Sequence, residues 1–284
     1  MKKIAVLPTL LTLGNGICGL AAIVFASNIV PENPSPHDNA NFAFAGWLIV
    51  LAMFFDMLDG YVARLTKTAS DFGGELDSLC DVVSFGVAPA FLLLKLGPAW
   101  DPIGYHALAG IAAFYFSMTA VRLARFNVEN DPDPAAHKRF KGLPSPGAAG
   151  CIAALAILRG GFPAPLVARL SSVDLASMRE VVIQSIAFAA PIVAFVVAVL
   201  MVSTVPYPHA TGKILTGRKH FGHLIQVILG GLILVMSGSL APILVFWIYA
   251  FIFPLRYLVM SNLPEQDADA PPPSADEQQA PNQT

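Results

Sequence analysis

Asp56, Asp59, Asp77 and Asp81 stand inside two stretches that are otherwise apolar, "FAFAGWLIVLAMFFDMLDGYVARL" and "GGELDSLCDVVSFGVAPAFLLL". Carboxylates in a lipid-buried segment are costly, and they mark ion, proton or substrate sites by default. Spaced as helices, Asp56, Asp59, Gly60 and Ala63 fall at i, i+3, i+4 and i+7, on one face. Gly73, Asp77 and Asp81 fall at i, i+4 and i+8, again on one face. A short turn from Leu65 to Phe72 sets the two helices antiparallel. At about 1.5 Å per residue, Asp59 and Asp77 then sit about 6–7 Å below the turn, and Asp56 and Asp81 about 12 Å below it.

Four such acids repel one another, and burial raises the cost; protons or divalent cations could relieve it. Hard cations such as Mg²⁺ take oxygen ligands and share them between protein carboxylates and substrate phosphates. An acidic pocket holding one or two ions becomes a receptor for a diphosphate. Gly60 and Gly73 leave the same faces free of side chains, so a flat base and ribose could approach the backbone. Arg64 adds a cation at the rim that suits phosphate. A cation-transport path is the competing reading. It would continue its polar residues across the membrane, and the outer halves "FAFAGWLIVLAMFF" and "VVSFGVAPAFLLL" hold no carboxylate.

The elements that must carry these residues are membrane helices. Of 284 residues, 55% are hydrophobic and 13% charged, too little charge to cover a soluble domain of this size. The apolar residues run in bilayer-length blocks. An all-α polytopic transmembrane bundle is expected, with about eight spans near 10–30, 41–63, 75–96, 104–122, 145–160, 181–204, 222–237 and 240–260, and six as a minimum. With both termini inside, only Lys95, Arg159, Arg169 and Arg179 fall on the far side, and every other basic residue is cytoplasmic. The first run is broken by Pro8, Gly14, Asn15 and Gly16, so a retained helix is expected rather than a cleaved leader. Residues 1–262 read as one membrane domain around the hairpin 56–81, and residues 263–284 as an acidic, proline-rich disordered tail. Cys18, Cys80 and Cys151 are scattered small hydrophobes, and His220 and His223 lack the neighbours of a metal site. No nucleic-acid partner is expected.

The pattern Asp56-x2-Asp59-Gly60-x2-Ala63-Arg64-x8-Gly73-x3-Asp77-x3-Asp81 resembles the signature of the CDP-alcohol phosphotransferases at every defining position. That resemblance implies transfer of a phosphatidyl or substituted phospho group from a CDP-linked donor to an alcohol, with release of CMP. It implies Asp56, Asp59 and Asp77 as ligands of Mg²⁺ or Mn²⁺. It implies Asp81 as the general base that also touches a second metal, and Gly60, Ala63, Arg64 and Gly73 as the lining of the CDP site. Further segments are similar to those of bacterial and archaeal CDP-diacylglycerol–serine O-phosphatidyltransferases: "LPTLLTLGNGICGL", "RLARFNV", "FKGLPSPGAAG" and "MVSTVPYP". Thr9 departs from the asparagine often found there. These patches run across about the first 220 residues, leaving the last two spans and the tail uncovered.

The resemblance implies CDP-diacylglycerol and L-serine as substrates, membrane lipids as surroundings, a bacterial inner membrane with the site facing the cytoplasm, and a homodimer. Glycerol 3-phosphate or an inositol phosphate is the alternative acceptor. Arg122 and Arg125, at i and i+3, could receive the serine carboxylate, hold the donor's phosphate, or anchor the fourth span at the interface. Lys138, Arg139 and Lys141 could contact anionic headgroups or be solvated loop charge.

Overall fold

The computed structural model describes residues 6–30, 36–66, 68, 70–97, 102–129, 142–161, 175–207 and 238–261. Its helices are α1 (Val6–Ser27), α2 (Pro36–Thr66), α3 (Asp71–Asp81), α4 (Ala88–Leu96), α5 (Pro102–Glu129), α6 (Ser145–Gly160), α7 (Leu175–Val202) and α8 (Leu240–Ser261). A π-helical turn, Val82–Val87, joins α3 to α4, so Asp71 to Leu96 makes one interrupted span.

Among the described residues, six helical stretches are long and apolar enough to cross a bilayer. The expected fifth span, α6, has 16 residues, or about 24 Å, short of the roughly 30 Å hydrocarbon layer. The expected span 222–237, the His220–His223 pair, Lys138, Arg139, Lys141 and the tail lie outside the described residues. Several helices outrun their apolar stretches. α2 runs from Pro36 to Thr66, beyond the expected 41–63 at both ends. α5 continues to Glu129, past the expected limit at 122, since hydrogen bonding does not stop where hydropathy falls.

The core is a mat of small and branched residues from α1, α2, α4, α6 and α7, with Ala22, Ala45, Leu92, Ala149, Ile152, Ala153 and Ala194 all buried. Outward faces stay apolar: Leu10, Ile17, Leu20 and Val24 on α1, Phe188, Ile192 and Phe195 on α7, and Leu244, Ile248 and Ile252 on α8 are exposed. An exposed apolar girdle of this extent is what lipid covers.

The two ends of the bundle differ. At one end Arg159, 7% exposed, lays its guanidinium 4.2 Å from the Phe42 ring centroid and donates to the Leu96 carbonyl at 3.2 Å. Nearby, Lys95 donates to the Ile29 carbonyl at 2.8 Å. Both cations satisfy carbonyls left over at chain exits from helices, where negative ends gather. The four aspartates lie toward the other end, Asp56 and Asp59 in the last three turns of α2 and Asp77 and Asp81 in the second half of α3.

Pro89 shapes the turn after Asp81. It has no N–H to give to the Phe85 carbonyl one turn back, and that carbonyl accepts the Tyr115 hydroxyl at 2.9 Å. Tyr115 is fully buried. Tyr115→Phe is expected to lower stability by about 1–2 kcal/mol, read as a lower Tm in detergent, because the Phe85 carbonyl loses that donor.

Candidate active site

Ser70 opens α3. It is extended (φ −140°, ψ 152°), and its Oγ accepts from the Gly73 N–H at 3.1 Å. α3 therefore begins four residues before the expected 75, with Asp77 and Asp81 on the face toward α1 and α2. Oxygens of Asp56, Asp59 and Asp77 all lie within 4.8 Å of one another. Asp81 stands outside that tight group. The charges act as one cluster rather than as two levels: Asp56 is repelled foremost by Asp77, Asp77 by Asp59, and Asp81 by Asp56 and then Asp77.

The cluster fits a hard divalent cation. Its donors are all carboxylate oxygens, and Asp77 Oδ1 is buried with no hydrogen-bond partner among the described residues. Beside it a cavity of about 220 Å³ opens between α1, α2 and α3. Asp59 and Asp77 form part of its wall, and Gly60, Ala63, Arg64 and Gly73 line it together with Thr68, Ser70 and Gly74. All four residues that the sequence marks for the CDP moiety are thus brought to one cavity. The start of α3 borders it through Ser70, Gly73 and Gly74, with the Gly73 and Gly74 N–H groups bonded to the Ser70 hydroxyl and carbonyl oxygens.

Sequence reasoning missed what α1 contributes. Thr12 Oγ1 donates to Asp59 Oδ2 at 2.6 Å, and Asn15 Nδ2 donates to Asp81 Oδ1 at 2.9 Å. Pro8, Thr9 and Thr12 also line the cavity. The available signal was a pair of hydrogen-bonding side chains three apart in an apolar helix. Contact depends on Gly19. A Cβ there would come within 2.7 Å of Ser84 Cα, so only glycine lets α1 lie against the π turn.

The two candidate arginines part company. Arg122 is half-buried, its charge interacts with those of Asp81 and Asp56, and Nη1 donates to Ser145 Oγ at 3.0 Å. Its Nε is buried without a partner among the described residues. Arg125, one turn on, is exposed. Ser145, also missed from the sequence, is the first residue of α6 and 1% exposed. It is set by Gly142, whose φ of +95° excludes ordinary side chains. Gly142 and Leu143 donate to the Val205 and Leu200 carbonyls at 2.8 and 2.9 Å, docking this corner on the end of α7.

The family profile of the CDP-alcohol phosphatidyltransferases matches residues 5–253. The chain belongs to that family. The match continues beyond the first 220 residues and takes in most of α8, which the resemblance read from the sequence left uncovered. Among individual family members, a CDP-diacylglycerol–serine O-phosphatidyltransferase of Methanocaldococcus jannaschii is 36% identical over 216 residues, 75% of this chain and 79% of the relative. A Helicobacter pylori protein of the same name is 38% identical over 146 residues, 50% of this chain and 53% of the relative. One from Bacillus subtilis is 35% identical over 150 residues, 52% of this chain and 74% of the relative. The aligned part thus spans about half the length of the Helicobacter relative.

The α1 contact has a measurable signature. Gly19→Val is expected to lower Tm, with overpacking costs of about 1–3 kcal/mol. Gly74→Ala, where nothing lies within 4 Å of an added Cβ, should leave Tm within about 1 °C or raise it.

Proposed function

We propose that this protein transfers the phosphatidyl group of CDP-diacylglycerol to the hydroxyl of L-serine, yielding phosphatidylserine and CMP. The observation that carries the reading is the convergence of Asp56, Asp59 and Asp77 at the edge of a cavity lined by Gly60, Ala63, Arg64 and Gly73. Family membership supports the reaction class, and the names of the relatives support serine.

In this reading Asp56, Asp59 and Asp77 hold Mg²⁺ or Mn²⁺. When bound, the ion neutralises the diphosphate and stabilises the CMP that leaves. The chain's own residues bind and orient. Gly60, Ala63 and Gly73 give the nucleotide a wall without bulky side chains, and Arg64 meets phosphate at the rim. Asp81, outside the tight cluster, takes the proton of the serine hydroxyl as its oxygen bonds to the phosphatidyl phosphorus and the bond to CMP breaks. Arg122, held by Ser145 and with Nε unpartnered, receives the serine carboxylate. The donor keeps its acyl chains in the bilayer while its headgroup enters at the bundle end that carries the acids. In this reading that end faces the cytoplasm of a bacterial inner membrane.

Membranes containing the protein should incorporate labelled serine into lipid only when CDP-diacylglycerol is supplied. EDTA should abolish the incorporation, and Mg²⁺ or Mn²⁺ should restore it; EDTA-insensitive turnover would remove the metal from the mechanism. Asp81→Asn is expected to cut turnover by about 10²–10⁴-fold while retaining binding of a CDP analogue. Arg122→Ala should raise the KM for serine at least tenfold with the donor KM little changed. Equal KM values in mutant and wild type would leave Arg122 as an interface anchor. CMP release with glycerol 3-phosphate but not with serine would keep the reaction class and change the acceptor.

A further inference from the structure

We propose that Asn15 is the positioning residue of Asp81, occupying one carboxylate oxygen so that the other is presented to the acceptor hydroxyl. This rests on the reading of Asp81 as the base. Asn15 is fully buried in the middle of α1. Its Nδ2 donates to Asp81 Oδ1 at 2.9 Å, while its own Oδ1 is buried without a partner among the described residues. A buried amide with an unfilled acceptor is less stable than a satisfied one, so an apolar residue would serve packing better. The amide is therefore poorly explained as a packing element and well explained by the one bond it makes.

Three further features hold that bond in register. The main-chain carbonyl of Asn15 accepts Ser84 Oγ at 2.9 Å, and Ser84 lies three residues beyond Asp81, within the π turn. Gly16 and Gly19 flank Asn15 on the same side, with Cys80 Sγ 3.0 Å from a Cβ at Gly16 and Ser84 backbone still closer to one at Gly19. The amide and the carboxylate thus belong to two backbones fixed against each other both before and after Asp81. An ionised carboxylate only accepts, so the amide must turn its NH₂ toward Asp81 and its carbonyl away. With Oδ1 taken, Oδ2 is the oxygen left for the hydroxyl proton. A base displaced by about 1 Å loses about 10²-fold in rate, which sets the scale of the effect.

The test uses the full-length enzyme in membranes or detergent. Asn15→Leu keeps approximate shape, removes the donor and also removes the orphan acceptor. The expected result is a kcat lower by about 10- to 100-fold, with the KM for CDP-diacylglycerol, CDP-analogue binding and Tm close to wild type. Loss confined to kcat is the mark of an interaction made in the transition state rather than in binding. Unchanged kcat would overturn the proposal, as would a fall in Tm and donor binding in proportion to the fall in kcat. If Asn15→Leu does not accumulate, Asn15→Asp, which is isosteric but sets a second carboxylate against Asp81, is judged by the same split. Asp81→Asn, run in parallel, separates the two ideas. Full activity in Asp81→Asn would dismiss the base reading itself. An inactive Asp81→Asn beside a fully active Asn15→Leu would dismiss only the positioning role. In the double mutant, Asn15→Leu should cause no further loss beyond Asp81→Asn, and an equal fold-loss in both backgrounds would show that Asn15 acts elsewhere.

Discussion

Repulsion among four carboxylates, strengthened by removal from water, is the constraint around which the rest of the bundle is arranged. Left to themselves, acids on one lipid-buried hairpin would drive α2 and α3 apart or draw water between them. The observed arrangement divides the problem. Asp56, Asp59 and Asp77 converge within 4.8 Å, where a divalent cation can offset their charge. Asp81 is set apart and given a neutral donor, while Arg122 contributes a positive charge from α5. In the proposed reading one group of carboxylates would hold an ion and the remaining one would accept a proton.

Holding those acids in place requires rigid backbone, and α1 supplies much of it. It packs extensively along α2 and also meets α3 and the π turn. Thr12 and Asn15 each reach one aspartate, from successive turns of the same helix. The π turn follows Asp81 directly, and insertions of this kind are common beside functional residues because they re-aim side chains without ending the helix. Here the turn is secured on both sides, by Ser84 to α1 and by the Phe85 carbonyl to Tyr115 of α5. Asn127 adds a bond to Ser78 at 2.8 Å, tying the end of α5 to the solvent side of α3. α5 thus supplies a strut at Tyr115, a charge at Arg122 and a tether at Asn127.

The polarity of the bundle also follows from where charge can be tolerated. Arg159 and Lys95 are spent on helix-end carbonyls and aromatic rings at one end. Arg64, Arg122 and the acids occupy the other. In the proposed reading a lipid-linked substrate would meet an apolar girdle around the middle and a polar cavity near one rim, matching a ligand that is apolar at one end and highly charged at the other.

The i, i+3, i+4 and i+8 spacing of Asp56, Asp59, Gly60, Gly73, Asp77 and Asp81 was sufficient to bring these acids and glycines to one side of the hairpin, but not to say that Asp56 would group with Asp59 and Asp77. Such relations are local: helical periodicity converts sequence distance directly into direction and height. The membrane class was equally legible, because bilayer thickness imposes a length on apolar runs. Helix ends were less so, since hydropathy reports where lipid begins and hydrogen bonding continues beyond it. What only the tertiary structure decided are the partners of those faces. Asn15 meets Asp81 across 66 positions, and Ser84 meets the Asn15 carbonyl across 69. Arg122 differs from Arg125 only because Ser145 and the acids happen to stand on one side of α5. No period within a single helix carries that information. It arises when particular small residues, Gly19 above all, let two backbones approach closely enough for short polar side chains to touch.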